Sequence, residues 1–185
     1  MSRFFSTSWA KNILLFCIII VSLSAESCKN ENTKKAEQYA NETVFYFIRH
    51  AEKDRSDTTN TNPKLTQKGL QRALGWSNYF DSIPLQKIYS TPYNRTVQTA
   101  TPTAAKKQLE ILEYRPDTII SEAFINANKG TNVLIVGHSN TTPYLVNALL
   151  KEDRYQDMLD HDNYSLYKVT LFENLWEAEV LTINK

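Results

Sequence analysis

Three segments of the sequence combine basic residues that suit the chemistry of a phosphoryl group. Arg49 and His50 are adjacent in FIRHAEK, Arg95 lies in IYSTPYNRTVQTA, and His138 follows a glycine in VLIVGHSN. A neutral imidazole can attack phosphorus and become a phosphohistidine, which divides one difficult displacement into two easier ones. Arginines stabilise the charge on the transferred oxygens in both steps. These residue types therefore predict phosphoryl transfer.

Each of the three segments follows a predicted strand, and the order of elements indicates how they meet. Apolar runs predict strands at 44–48, 85–90, 110–114 and 132–138. Helical spacing predicts helices at 63–80, 94–107, 118–128 and 140–150, and the chain ends in a predicted hairpin around Glu173 and Asn174. Alternating strands and helices indicate an α/β fold, a three-layer sandwich with a mostly parallel central sheet flanked by helices. Ligands of such sheets bind beyond the carboxyl ends of the strands, where the three segments converge.

The predicted helix starts strengthen the case for an anion site. Thr66 is the expected N-cap of the first helix and Asn94 that of the second; Asn140, Thr141 or Thr142 is the expected cap of the last. Pro102 predicts a kink or an early stop in the second helix. An arginine in the first turn, such as Arg95, is unfavourable because the helix N-terminus is partly positive. A bound oxyanion would remove this conflict.

Paired histidines also suggest a metal site. The sequence contains three histidines in all, and neither an HExxH motif nor a cysteine pair accompanies them. Two flanking arginines would repel a divalent cation. We therefore expect no metal ligation.

Together the three segments resemble the signature segments of the histidine phosphatase superfamily, the phosphoglycerate mutase-like fold, from Thr43 to the C-terminus. The resemblance implies that His50 is the phosphorylated nucleophile and that Arg49 and Arg95 bind phosphate. It implies that His138 hydrogen-bonds the same phosphoryl group, and that neither a metal nor an organic cofactor is needed.

The short segment between Arg95 and His138 leaves little room for a substrate cap or for the catalytic acid that larger members carry there. This compactness resembles the small bacterial branch that includes phosphohistidine phosphatases, whose open sites accept protein substrates. Glu52, two residues after His50, is the nearest candidate for a proton donor. The alternative is that Glu52 pairs with a neighbouring basic residue.

The expected function is a phosphatase acting on a phosphomonoester, either a small molecule or a phosphoprotein, or on protein phosphohistidine. A lipoprotein that binds phosphate or a phosphorylated ligand without turnover is the alternative. A phosphomutase is disfavoured by the short segment and by the predicted export. The formal net charge of +1, without a basic stripe, gives no support for nucleic-acid binding.

The first residues predict export. Arg3 and Lys11 precede the apolar run ILLFCIIIVSLSA, which has the length of a signal peptide and is short for a membrane span. Residues 1–27 are the expected signal, Cys28 the expected lipidation site, 28–42 a polar tether, and 43–185 the domain. A cleaved secretory signal without lipid is the alternative. Both place the protein outside the cytoplasm, and the first anchors it in the periplasm or outer envelope.

Overall fold

The computed structural model describes residues 42–172 and 174–183, and within them a six-stranded sheet forms the centre of the domain. The strands are β1 (Thr43–Arg49), β2 (Leu85–Ser90), β3 (Ile111–Glu113), β4 (Asn132–Gly137), β5 (Ser165–Phe172) and β6 (Leu175–Thr182). Their order across the sheet is β3-β2-β4-β1-β5-β6. The strands β1 to β4 run parallel to one another. β5 pairs antiparallel with β1, and β6 pairs antiparallel with β5 to form the terminal hairpin. The predicted mostly parallel sheet is confirmed.

Helices cover both faces of the sheet. They are α1 (Gln67–Tyr79), α2 (Asn94–Lys107), α3 (Glu122–Ala127) and α4 (Thr141–Leu150), with a 3-10 turn at Phe80–Ser82. Trp76 and Phe80 pack on one face of the sheet, and Leu145 and Leu149 of α4 pack on the other. The strands β1 and β4 are buried on both faces, which explains their unbroken apolar sequences. The three-layer α/β prediction is confirmed.

The helix boundaries differ from the sequence prediction mainly at their starts. Thr66 caps α1 as predicted, since its side chain accepts a hydrogen bond from the Gly69 N–H, and the helix begins at Gln67, the residue after this cap, within the predicted segment 63–80. Tyr93, not Asn94, holds the N-cap position of α2, and the side-chain amide of Asn94 instead donates to the carbonyl of Asn62. The Asn94 side chain therefore bonds to the backbone of a neighbouring loop and does not cap α2.

Pro102 does not end α2, so the expectation of an early stop is wrong. The helix continues from Asn94 to Lys107 around the proline. A proline inside a helix lacks an N–H and crowds the preceding turn. The Ser77 hydroxyl of α1 donates to the Pro102 carbonyl at 3.1 Å, which ties the two helices together at this point.

The position of β1 determines what surrounds its carboxyl end. β1 lies between β4 and β5, with Arg49 opposite Gly137 and Ile48 opposite Leu166. The loops after β1 and β4 and the segment before β5 therefore meet at one place. The predicted signal and tether lie outside the described residues, apart from residue 42. Over the ranges described, no helix is long and apolar enough to cross a bilayer.

Candidate active site

A cavity of about 710 Å³ opens at the carboxyl ends of the parallel strands. Four predicted site residues line it, namely Arg49, His50, Arg95 and His138. The two imidazole rings meet edge to face, with centroids 5.5 Å apart. The structure thus brings the two histidines and two arginines of the three segments into one pocket.

His50 is held in the tautomer that a nucleophile requires. Its backbone N–H donates to the Gly137 carbonyl at 2.9 Å, and its ring Nδ1 lies 2.7 Å from the Ala51 carbonyl. A carbonyl oxygen only accepts, so Nδ1 carries the proton and Nε2 of the neutral ring carries the lone pair. The backbone carbonyl of His50 accepts from the Asn163 side chain at 2.8 Å. Both the ring and the main chain of His50 are therefore fixed.

His138 is oriented by the threonines at the start of the second segment. Its Nε2 lies 3.0 Å from the Thr91 hydroxyl, which is itself 3.0 Å from the Thr96 hydroxyl. The backbone N–H of His138 donates to Thr141 Oγ1 at 2.9 Å, so Thr141 serves the His138 loop, and Asn140 holds the N-cap position. The predicted threonine cap of α4 is therefore wrong.

Gly137 is required by the packing before His138. A Cβ at Gly137 would lie 2.8 Å from the Tyr114 hydroxyl oxygen and 2.9 Å from Thr141 Oγ1. Such distances are shorter than real Cβ contacts, so a larger residue would force the Tyr114 and Thr141 side chains to shift, and Thr141 Oγ1 accepts a hydrogen bond from the His138 N–H. The glycine of the third segment thus has a steric role.

Both histidines are held neutral. Burial is the main cause that lowers the pKa of His50 to about 3, with the charge of Arg49 adding to it and the bond to Ala51 opposing it. Burial, followed by the charges of Arg95 and Arg49, lowers the pKa of His138 to about 4. A neutral imidazole can act as a nucleophile, and the neutrality of His50 extends well below pH 7.

This burial predicts how stability depends on pH. Unfolded histidine titrates near 6.5, and the folded pKa values are lower, so the unfolded state binds protons that the folded state does not between those limits. The free energy of unfolding should fall with decreasing pH below 6.5, by about 1.4 kcal/mol per pH unit for each fully titrating histidine. Urea unfolding between pH 6.5 and 5 measures this slope. His138→Asn should reduce it, and equal slopes in both proteins would contradict the assignment.

Arg49 binds the loop before β5 with one edge of its guanidinium. Its Nη1 donates to the carbonyls of Leu159 and Asp160, both at 2.9 Å, and to that of Asp162 at 3.2 Å. Its Nε is buried and has no hydrogen-bond partner within the described part of the chain. Buried N–H groups are normally hydrogen-bonded, so this Nε is a ready donor for an oxyanion. Arg49 can therefore anchor the loop and a phosphate together.

Arg95 is less constrained. The nearest acceptor for its Nη1 is the Thr61 carbonyl at 3.5 Å, and its guanidinium carbon lies 4.3 Å from the centre of the Tyr93 ring. Its Nε, like that of Arg49, is buried without a hydrogen-bond partner among the residues described. Arg95 also follows the first residue of α2, so a bound anion would meet the helix N-terminus as well.

Sequence comparison agrees with this geometry. The sequence profile of the histidine phosphatase superfamily (branch 1) matches residues 45–118, which include Arg49, His50 and Arg95. This confirms the resemblance to the histidine phosphatase superfamily. A comparison with curated protein sequences finds no match.

Solved structures share this α/β fold at low sequence identity. A mycobacterial glucosyl-3-phosphoglycerate phosphatase superposes with a TM-score of 0.61 at 13% identity, covering 77% of this chain and 100% of that one. The protein histidine phosphatase SixA, complexed with tungstate, gives 0.61 at 16% identity over 75% and 96%. A phosphoglycerate mutase from Bacillus anthracis gives 0.57 at 15% identity over 78% and 95%. At these identities the similarity establishes the fold.

Glu52 lines a smaller cavity together with His50, but its carboxylate is held in an ion pair. Arg72 of α1 donates from Nε and Nη2 to its carboxylate at 2.7–3.0 Å, and Lys68 lies 3.5 Å away. Burial acts to raise the pKa of Glu52, but Arg72 and then Lys68 outweigh it and lower the pKa below its ordinary value. An ionised carboxylate accepts and does not donate. The structure therefore matches the alternative, an ion pair.

We expect Glu52→Gln to reduce stability more than catalysis. The side chains of Glu52 and Arg72 are 19% and 9% exposed, and loss of a hydrogen bond to a charged group costs about 2 kcal/mol. Because the folded pKa is depressed, the contribution is present above the unfolded pKa near 4.5 and is lost as pH falls through the folded pKa. Thermal unfolding at pH 7 and pH 4 should show the difference between variant and parent shrinking. A collapse of turnover at unchanged stability would restore the proton-donor role.

Several residues at the site are not among those predicted from the sequence. Lys53, Arg55 and Asp160 line the cavity, and Asn163 positions the His50 backbone. Lys53 and Arg55 could have been proposed from the sequence, because both basic residues follow the Arg49–His50 pair within five residues. No sequence pattern identifies Asp160 or Asn163 as site residues, because only the antiparallel pairing of β5 with β1 brings them near His50.

Proposed function

We propose that this protein is a metal-independent phosphatase that hydrolyses a phosphomonoester, or protein phosphohistidine, through a phosphohistidine at His50. The observation that carries the proposal is the contact of His50 Nδ1 with the Ala51 carbonyl, because it leaves Nε2 as the lone-pair nitrogen in a cavity lined by arginines. The phosphatases among the solved structures with this fold support a hydrolase.

The reaction runs in two displacements. Nε2 of His50 forms a bond to phosphorus while the bond from phosphorus to the ester oxygen breaks, and the leaving oxygen takes a proton from solvent water. Water then attacks the phosphohistidine, releasing inorganic phosphate and restoring the imidazole. Throughout, Nδ1–H remains bonded to the Ala51 carbonyl, so the ring keeps its orientation.

Arg49, Arg95 and His138 surround the transferred oxygens in this proposal. The two buried Nε groups are donors already fixed in place, and positioned donors stabilise charge without reorganising during the reaction. His138 becomes a donor to phosphate once a dianion in the cavity offsets the burial and the arginine charges that keep it neutral. The basic lining also opposes binding of a divalent cation.

Hydrolysis of an aryl phosphate in the presence of a chelator tests the proposal. A phenolate leaves with little proton assistance, so attack at phosphorus is measured separately from protonation of the leaving group. Turnover, together with a transient mass increase of one phosphoryl group on a peptide containing His50, is expected. Turnover that depends on added metal, or a phosphoryl group on another residue, would overturn the mechanism.

The pairing of Glu52 with Arg72 favours a second candidate, a protein that binds phosphate or a phosphorylated ligand without turnover. Such a protein would keep both arginines and lack an assigned proton donor. Calorimetric binding of inorganic phosphate, combined with no hydrolysis and no covalent adduct, would support this candidate over the enzyme. A phosphomutase requires transfer of the phosphoryl group to a second hydroxyl, which added alcohols would reveal.

The cellular location remains a proposal from the sequence. We propose export by residues 1–27 and anchoring by a lipid on Cys28, because a cysteine comes three residues after the apolar run and a polar tether follows it directly. Expression with labelled fatty acid, comparing the parent with Cys28→Ser, tests the lipidation. Label that persists in the variant would contradict the assignment to Cys28.

A further inference from the structure

A second, smaller cavity adjoins the site described above. Its volume is about 360 Å³, and it shares Arg49, His50, Lys53, Arg55 and Asp160 with the larger cavity. A molecule whose phosphoryl group lies against His50 can therefore extend into this side cavity. The walls shared by the two cavities carry three basic side chains and one carboxylate.

That carboxylate, Asp160, is held as a bound anion would be. Its Oδ1 lies 2.6 Å from Arg55 Nη2 and 3.2 Å from Arg49 Nη2, while the side chain is 76% exposed. The pair with Arg55 is exposed on both sides and contributes little to stability, and buried Arg49 keeps its bonds to three backbone carbonyls, so a ligand anion can replace this carboxylate at low cost. The pair of arginines thus defines a position for a second acidic group.

Lys53 adds a positive charge that this carboxylate does not neutralise by direct contact. It is half-buried, its strand-like bridge to Leu65 fixes its backbone, and within the described residues no carboxylate lies within 4.0 Å of its ammonium. Lys53, Arg55 and Arg49 lie close enough to one another for their charges to interact. With Lys68 and Glu52, which also line the side cavity, four cations face two carboxylates there and leave an excess of positive charge beside the reaction site.

We propose that this side cavity is a subsite for a second anionic group of the substrate, a phosphate or carboxylate bound by Arg55 and Lys53 in place of the Asp160 carboxylate. The inference deepens the proposed function and rests on it, since it assigns the substrate to small phosphomonoesters that carry a second acid. The Asp160 carboxylate then competes with the second acidic group of the substrate for these basic residues, and this competition sets how strongly substrates with a second acid are preferred.

A chain-length series tests the subsite without assuming a distance. The substrates are α,ω-alkane bisphosphates and the matching alkyl monophosphates, compared by kcat/KM. At least one bisphosphate should exceed its monophosphate by about tenfold, equivalent to about 1.4 kcal/mol. Equal values for every length would overturn the proposal.

Two variants and one control locate the effect. Arg55→Ala should reduce the preference for the bisphosphate about tenfold, and Asp160→Asn should increase it. Arg154→Ala is the matched control, because Arg154 also pairs with an exposed carboxylate, Glu152, but lines neither cavity. A preference lost equally in Arg154→Ala would show a general charge effect and would contradict a subsite.

Failure of the proposed function is distinguishable from failure of the subsite. If no phosphate ester is hydrolysed, the phosphatase proposal fails, and the same series is measured as equilibrium binding by calorimetry. Tighter binding of a bisphosphate than of its monophosphate, dependent on Arg55, then supports the subsite by itself. If all esters are hydrolysed at rates that do not depend on the second charge, the subsite proposal is wrong and the phosphatase proposal stands.

Discussion

Replacement of His50 by glutamine should lower kcat for an aryl phosphate by at least about 10³-fold, since removing a covalent nucleophile is among the most damaging changes an enzyme can undergo. Glutamine keeps an N–H for the Ala51 carbonyl and approximates the length of the imidazole, so the fold should persist. Steady-state kinetics and a thermal unfolding curve of the same preparation measure both quantities. The phosphoryl adduct should disappear as well.

His161→Gln is the matched control for this change. His161 is exposed and lines the side cavity, where an aryl phosphate places no second acidic group. The His161→Gln variant should hydrolyse the aryl phosphate at the rate of the parent protein. A His50→Gln variant that turns over as fast as the His161 variant would show that the nucleophile lies elsewhere, whatever the cavity binds.

Arg95→Ala should lower kcat/KM by about 10²- to 10³-fold, the range found when one positioned donor to a developing charge is removed. The effect on stability should be small, because the polar contacts of Arg95 are a 3.5 Å approach to Thr61 and a ring contact with Tyr93. Arg95→Lys should recover part of the loss, since lysine restores the charge but not the planar pair of donors. Inhibition by inorganic phosphate should weaken in parallel.

Lys106→Ala controls for the loss of a cation from the same helix. Lys106 lies in the last turn of α2 and pairs with Asp81, away from the cavity. It should leave kcat/KM unchanged. If Arg95→Ala reduced the melting temperature as strongly as it reduced activity, the arginine would be a structural residue and its assignment to phosphate would be wrong.

The sequence predicted the strands and the meeting of the three segments because both depend on local patterns. The buried runs before Arg49 and His138 identify two strands, and parallel strands end at the same edge of the sheet. The side-chain orientation of Glu52 could not be predicted in this way. It depends on Arg72, which α1 presents twenty residues later in a position that only the packed fold determines.

The cap assignments failed for a related reason. Asn94 and Thr141 have the right residue types for N-caps, yet each side chain serves a neighbouring loop instead. Capping preferences describe a helix by itself, whereas Thr141 is needed by the His138 backbone and Asn94 by Asn62. The side chains that position the site are therefore drawn from residues that local rules assign elsewhere.

The hydrogen bond from Asn163 to the His50 carbonyl joins residues from opposite ends of the domain, so the site is complete only when the whole domain has folded. His50 lies near the start of the described residues, and Asn163 comes just before β5, which must pair with β1 in the opposite direction. Contacts so distant along the chain form late and slowly during folding. A growing or truncated chain that ends before residue 163 can contain His50, Arg95 and His138 and still lack a fixed nucleophile. Catalytic competence is thus acquired only at the completion of folding.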